Sequence, residues 1–499
     1  MTTFRNRHTP DDAGSVRGMN KIIVVGAGTA GCTAAARLSE DANNHVVLLE
    51  SGPDNGPGGG SAGLQSVNWI RALEAETAFY DDLFARKLAG DEPRPYRRGR
   101  GVGGSASVNA MLAVPGLPVD YNNYRTKYGL DRWDWKHVEP WLAKLKPVLT
   151  VSTEDEITPV DRALIESAKH LGLASWIDTY SPEPAEGAGL LWRNADRKAR
   201  KSSLELHLDP SRGRSNLEIH ADSRVDRLII HDSVAKGVLL ADGTEIYADD
   251  IILCAGSFES PAILLRSGLT RHGIGKGLQD HPATSIYLSL KPGFGNFDLS
   301  KPCIGAVMRL SSSVGEGDIH LLPLWGTLID SQPASHGLLM AAVMRVTSFG
   351  ELRLNEDNPL APPVIEERML TTAHDRTVMR EAIAAAEKVL ATPPFADIVE
   401  AAFLDADGTP LSALQDDEFF ERWLSTTVGD YFHAVGTARM GDAEDEDAVV
   451  DDLGRIHGLS GVAIWDASIL PEVPRANTHT PVSMVAERLS NAYRTGELT

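Results

Sequence analysis

Residues 21–50 read "KIIVVGAGTAGCTAAARLSEDANNHVVLLE". The run "KIIVV", 21–25, is apolar without alternation, as a strand buried on both faces of a parallel sheet has to be. Gly26-x-Gly28-x-x-Gly31 follows, and "CTAAARLSED" then sets alanines and a leucine at helical spacing. "HVVLLE" is a second buried strand that ends at Glu50. Together they predict a βαβ unit. The glycines permit a tight turn and the close approach of a pyrophosphate. The free N–H groups and positive dipole end of the helix favour that group. Glu50 would accept hydrogen bonds from a ribose, which suits NAD or FAD and disfavours NADP.

A second glycine cluster separates those two cofactors. "GRGVGGSASVN", Gly99 to Asn109, combines glycines, an arginine and serines. It predicts a second cradle of backbone donors for phosphate and ring, which a simple NAD dehydrogenase does not need. The glycine- and proline-rich "SGPDNGPGGGSAG", 51–63, reads as a surface loop. From 216 to 256 the pattern turns to strands, with "ADGT" as a hairpin turn, and "SPAILLRSGL" then reads as a helix. Residues 285–435 carry no nucleotide motif. They mix strand-like runs ("IYLSLKP", "GAVMRL", "GLLMAAVMRV") with one amphipathic helix, "DRTVMREAIAAAEKVLA". This stretch predicts a separate domain inserted into the first. The acidic run 441–452 reads as a solvated loop.

The whole chain sets the bounds. Its 499 residues exceed one hydrophobic core, so two domains are expected. A composition of 42% hydrophobic and 23% charged residues is that of a globular protein. The net charge of −21 argues against nucleic acid and anionic membrane as main partners. Cys32, Cys254 and Cys303 give no disulfide framework. No CxxC or HExxH occurs, so no metal is expected. No run approaches the ~20 apolar residues of a membrane span. Residues 1–18 are polar, lack the apolar core of a signal peptide and are expected to form a disordered tail. Met19 is then a candidate start, and the expected compartment is the cytoplasm.

Near the end, "ANTHTPVS", 476–483, lies between a strand, "GVAIWDAS", and a helix, "PVSMVAERLSNAYR". Thr480 followed by Pro481 predicts a hydroxyl N-cap with proline at the first helical position. His479 stands directly before that cap.

Four motifs in order, with a shorter turn between them, make the chain resemble the glucose–methanol–choline (GMC) family of flavin oxidoreductases. Gly99, Arg100, Val102, Gly103, Gly104, Ser105, Val108 and Asn109 fit its first signature, with Ala106 departing from it. Gly256, Ser257, Ser260, Pro261, Ile263, Leu264, Ser267, Gly268 and Leu269 fit the second, with Thr270 in place of its final glycine. "IGKGLQDHP", 274–282, is similar to a family turn, with Gly277 for asparagine. "HAVGTARMG", 433–441, and "WDASILPEVPRANTHTPVSMVAER" resemble its C-terminal motifs.

The resemblance implies an α/β protein. A Rossmann-like FAD-binding domain (19–135, 196–282 and 436–499) is interleaved with an α+β substrate-binding domain of antiparallel sheet plus helices (136–195 and 283–435). It implies FAD contacts from Gly26, Gly28, Thr29, Ala30, Gly31 and Glu50, and from Arg100, Val102, Gly104, Ser105, Asn109, Ala110 and Met111. Val225, Gly256, Asp466 and Ala467 complete that set with Thr480 and Pro481. Val108 stands where members with covalent FAD often carry histidine, so non-covalent FAD is expected. The two polar residues that face the flavin and the substrate hydroxyl fall on His433 and His479. A neutral imidazole beside an alcohol can take the O–H proton while the C–H hydride leaves for the flavin. His433 is expected to be the main base, with His479 as its partner. The N-terminus of the last helix is expected to stabilise negative charge on the reduced flavin. Tyr431 and Phe432 would form an aromatic pocket wall, which favours apolar or aromatic alcohols over choline-like cations.

The expected activity is therefore oxidation of the CH–OH group of a small-molecule alcohol, with electrons passed to oxygen or another acceptor. A flavin-containing lyase of the same fold, of the hydroxynitrile-lyase kind, is the alternative: its histidines would do acid–base work without net redox. An NAD-linked Rossmann enzyme is a third reading, disfavoured by the second glycine cluster. Oligomeric state is not legible in the sequence.

Overall fold

A computed structural model describes residues 19–184, 186–295, 298–326, 337–405 and 407–497. The expected tail, 1–18, lies outside the described residues. The predicted βαβ unit forms as strand Asn20–Val25, helix Thr29–Leu38 and strand Asn44–Leu49. These two strands sit inside a five-stranded parallel sheet. Its order is Val462–Ile464, Asp250–Leu253, Asn20–Val25, Asn44–Leu49 and Leu217–His220. Ile22, Ile23 and Val24 are fully buried, which is why this strand has no polar face. Helix Thr29–Leu38 covers one side of the sheet and packs on the last helix, His479–Arg494. Strand order reverses between Asn20–Val25 and Asp250–Leu253, and such a reversal opens a crevice at the carboxyl ends of the strands.

The "ADGT" turn joins Val234–Leu240 to Glu245–Tyr247 in a three-stranded antiparallel sheet that also holds Val225–His231. "SPAILLRSGL" belongs to helix Gly256–Arg266.

The largest sheet is built mostly from the region without a nucleotide motif, with two strands from the expected substrate segment 136–195. Its strands run in the order Val399–Phe403, Pro282–Leu290, Gly337–Val343, Gly315–Trp325, Ala306–Ser312, Gly187–Leu190 and Ser175–Asp178. Gly429–Asp430 pairs beside Val399–Phe403 on Pro282–Leu290. All pairs are antiparallel except the one between Ser175–Asp178 and Gly187–Leu190. Side chains alternate between faces. Ile319, Leu321, Leu339 and Ala341 share a core cluster with residues of helices Pro159–His170 and Ala373–Leu390. Val307, Leu322, Leu324, Leu338 and Met340 join Tyr431 in a separate cluster on the opposite face. That face looks towards the candidate site.

A third sheet takes Lys276–Leu278, Phe84–Arg86 and Arg94–Pro95 from the expected cofactor segments. It takes Gly350–Arg353 and Val364–Glu366 from the expected substrate segment. Among the described residues no helix is long and apolar enough to cross a membrane.

One local expectation is corrected. The last helix begins at His479, not after Thr480. Thr478 is its N-cap, and no side chain caps it. Thr480 and Pro481 therefore lie inside the first turn. Proline is tolerated there because the first N–H groups of a helix have no intrahelical acceptor.

Candidate active site

The two glycine clusters meet. Gly103 N donates to Ala27 O at 2.7 Å. A Cβ on Gly104, whose φ is +49°, would lie 2.8 Å from Gly28 Cα. A Cβ on Gly31 would fall 1.7 Å from Gly26 O, so glycine is required at that helix turn. Gly28 itself faces open space. The N–H groups of Thr29, Ala30 and Gly31 belong to the unsatisfied first turn.

Glu50 locks this arrangement. Its Oε2 accepts from Ala27 N at 2.9 Å, and its Oε1 accepts from Gly52 N at 2.9 Å and Gly101 N at 3.2 Å. One buried carboxylate thus holds the first turn, the end of the second strand and the second cluster. In that cluster Arg100 N and Val102 N bond to Ala78 O and Pro53 O. Ser105 Oγ accepts from Gly99 N. Asn109 Oδ1 accepts from Met111 N at 3.0 Å and from the buried Arg200 at 2.5 Å. Ala110 is half-buried, and Met111 has a left-handed φ of +64°.

Val225 is buried at the start of its strand. Gly256, at φ +82°, faces open space, and its N–H donates to Asp466 Oδ2 at 2.8 Å. Asp466 also accepts from Ser260 Oγ at 2.5 Å, Ser468 N at 2.9 Å and Ser468 Oγ at 2.6 Å. Its side chain is thus committed to joining the helix Gly256–Arg266 to the segment Ala467–Ile469. The fit to FAD rests on what is left without a partner and on the space left open. Arg200 Nη2, His479 Nε2 and Thr480 Oγ1 are buried with no hydrogen bond, while Gly28 and Gly256 leave open space where a side chain would stand. A flavin dinucleotide has the acceptors and the shape that such a cradle lacks.

His433 follows the short strand Gly429–Asp430 and is 8% exposed. Phe432 before it has φ +63°. Asp280 pins the loop: its Oδ1 accepts from His433 N at 2.9 Å and from His281 N at 2.7 Å. Its Oδ2 accepts from Tyr96 OH at 2.5 Å. His433 Nδ1 lies 2.9 Å from His281 Nδ1, and His281 Nε2 lies 3.1 Å from Met344 O. The other nitrogen of His433, Nε2, is 3.5 Å from Asn477 Nδ2. The ring centroids of Tyr431 and His433 are 4.7 Å apart. Burial, reinforced by the neighbouring His281, holds His433 well below the usual imidazole range. Burial likewise takes His281 down to about 3. Both rings are neutral at pH 7.

Beneath them lies a buried charge cluster. Lys87 pairs with Glu367 at 2.9 Å and also with Asp430. Burial raises Glu367 to about 7.

No hydrogen bond links His479 to His433. His479 lies in the first turn of the last helix, where burial and the positive Arg200 depress it to about 3. The residue opposite His433 Nε2 is Asn477, two positions earlier in the same loop. His281, Asp280 and Asn477 are additions to the residues picked from sequence. The signal for the first two was "LQDHP", whose match to a family turn carried no role with it. The signal for Asn477 was its place in the quoted loop.

The family profile of GMC oxidoreductases matches residues 20–283 through its N-terminal part and 346–486 through its C-terminal part. The 5-(hydroxymethyl)furfural oxidase of Methylovorus sp. (strain MP688) is 31% identical, over 95% of this chain and 98% of that protein. Mitochondrial choline dehydrogenase of Mus musculus is 27% identical, over 95% and 89%. Among solved structures, pyridoxine 4-oxidase from Mesorbium loti superposes with a TM-score of 0.83 at 26% identity, over 95% of this chain and 99% of that one. The chain belongs to the GMC oxidoreductase family and is an FAD-dependent alcohol oxidoreductase.

Proposed function

We propose that this enzyme oxidises a small apolar or aromatic alcohol, with His433 Nε2 as the base for the hydroxyl proton. The observation that carries the reading is the state of His433. It is buried and neutral, its Nδ1 is occupied by His281, and its Nε2 is the remaining nitrogen. A positioned base of this kind contributes roughly 10²–10⁴-fold. When bound, FAD supplies the acceptor for the hydride. Asn477 would hold the substrate oxygen beside Nε2. His479 would assist from the helix end, where its free Nε2 and the first-turn N–H groups favour negative charge.

The wall of Leu112, Val114, Leu322, Met340 and Tyr431 would exclude water and select an apolar body. The likeness to proteins named for oxidising 5-(hydroxymethyl)furfural and pyridoxine, both alcohols on small aromatic rings, supports that choice. A cavity of about 350 Å³ lies beside this wall and shares Met340 with it. It is lined by Ala283, Tyr287, Met340, Thr427 and Asp430, where Pro282–Leu290 has a gap between its two neighbours on one edge. The electrons go on to oxygen or another acceptor.

FAD is held without a covalent bond, because Val108 offers no nucleophile. Acid precipitation should leave the yellow colour in the supernatant; a yellow pellet overturns this point. Three buried cysteines without disulfides suit a reducing cytoplasm. The central test is an alcohol panel under anaerobic conditions. Bleaching of the flavin band by aromatic or apolar primary alcohols is expected. A flavin that stays oxidised with every alcohol, while a cyanohydrin is cleaved, would replace this reading with the lyase.

A further inference from the structure

Two histidines in contact through their Nδ1 atoms have only a few arrangements of protons. Two carbonyls, Met344 O and Pro474 O, act on the His281 ring, and the one in hydrogen-bond geometry, Met344 O, decides between the arrangements. Met344 O is a carbonyl and can only accept, so the ring nitrogen of His281 that faces it, Nε2, carries the hydrogen. A neutral imidazole has one N–H. His281 Nδ1 is therefore the acceptor, and His433 Nδ1, 2.9 Å away, is the donor. That leaves His433 Nε2 as a bare lone pair. The other end of the chain is compatible with this: the side-chain amide of Asn477, 3.5 Å from Nε2, can present its N–H there.

We infer that His281 is a positioning residue that fixes His433 in the Nδ1–H tautomer and so keeps Nε2 unprotonated and ready for the substrate hydroxyl. This rests on His433 being the base. Nothing in the ring of His433 alone selects that form, and an isolated histidine side chain in water favours hydrogen on Nε2. With that hydrogen in place the base would present a donor where an acceptor is needed.

The proton balance is simple. The O–H bond of the substrate breaks, an N–H bond forms at Nε2, and His433 then carries both ring hydrogens and one positive charge. His281 Nδ1 keeps accepting from Nδ1–H and stabilises that imidazolium. Asp280 holds the pair in register, because its Oδ1 accepts the backbone N–H of both residues.

The test is made on the holoenzyme with histidine labelled by ¹⁵N. In the wild type the His433 ring nitrogens should read as Nδ1–H with bare Nε2. His281→Leu should convert His433 to the Nε2–H form or a mixture. It should also slow anaerobic flavin reduction by about 10²-fold, within the range of a lost general base, with FAD content unchanged. His281→Gln, which can accept from Nδ1–H and donate to Met344 O, should recover most of that loss. A wild-type spectrum with hydrogen on Nε2 of His433 overturns the inference, whatever the variants do. So does His281→Leu reducing flavin at the wild-type rate while His433→Ala does not; in that case the base assignment stands and only the tautomer control fails. If His433→Ala also reduces at the wild-type rate, the base assignment itself has failed. Should His281→Leu not retain FAD, the wild-type spectrum and the glutamine variant still decide.

Discussion

Phe432 holds a left-handed backbone directly before His433, and Met111 does the same at the edge of the second glycine cluster. Non-glycine residues in that region cost of order 1–3 kcal/mol, and they persist only where the surroundings over-determine them. At Phe432 the surroundings are Arg98, which donates to its carbonyl at 2.9 Å, and Asp280, which takes the next N–H. That strain aims one imidazole. His433→Ala should therefore lower the rate of flavin reduction by roughly 10²–10⁴-fold, with FAD still bound, as read by anaerobic stopped-flow absorbance. His479→Ala should slow it less, since in the proposed mechanism His479 assists only from the helix end. Equal rates in the wild type and both variants would remove both residues from the chemistry. At this scale the sequence identified His433 by its motif. It could not reveal that Asn477, and not His479, lies opposite Nε2. That depends on how the loop enters the last helix, and the Thr480–Pro481 pattern pointed to a start later than the observed one.

Among the elements, the glycine turn after the first strand is the most demanding. A methyl group on Gly31 would meet Gly26 O at 1.7 Å, and the obstacle is backbone that cannot rotate away. Gly31→Ala should therefore abolish FAD retention and lower the melting temperature. Flavin absorbance per protein after gel filtration measures the first effect. A variant that retains its full complement of FAD would refute the close approach. This element was fully legible, because parallel buried strands read as unbroken apolar runs and a dinucleotide turn needs glycines at fixed spacing. The sheet containing Phe84–Arg86 and Val364–Glu366 was not. Its strands are two to four residues long and come from distant segments, too short for a periodicity to register.

For the molecule as a whole, buried histidines shape the response to acid. His281 and His479 are depressed to about 3, and His433 and His320 lie well below 6.5, each mainly through burial. The unfolded chain takes up these protons near pH 6.5 and the folded one far lower. Their contribution to stability is thus present above pH 6.5 and is lost as the pH falls from there towards 3. Each such proton is worth about 1.4 kcal/mol per pH unit. Asp161, raised by burial to about 6, and Glu367, raised to about 7, act in the opposite sense. Their folded forms hold protons more tightly, so they favour the fold as the pH falls. His207 is depressed as well, and Asp280, Asp466 and Glu387 are raised by burial. Depressed histidines and raised carboxyls oppose each other in equal number, so the melting temperature should change little between pH 7 and pH 5. A steep drop would show that the histidines prevail, a rise that the carboxyls do.

The shared sheet has one more consequence, for how the protein can be taken apart. The chain passes from the cofactor layers to the substrate layers and back, and Phe84–Arg86 lies hydrogen-bonded beside Val364–Glu366 across that division. The third sheet belongs wholly to neither set of segments. Protease nicks in surface loops should therefore leave a particle that still migrates as one body, and heating should give a single calorimetric peak. No truncation at a sequence boundary would yield a free-standing flavin module, so the unit that evolution or an engineer can exchange is the loop and not the domain.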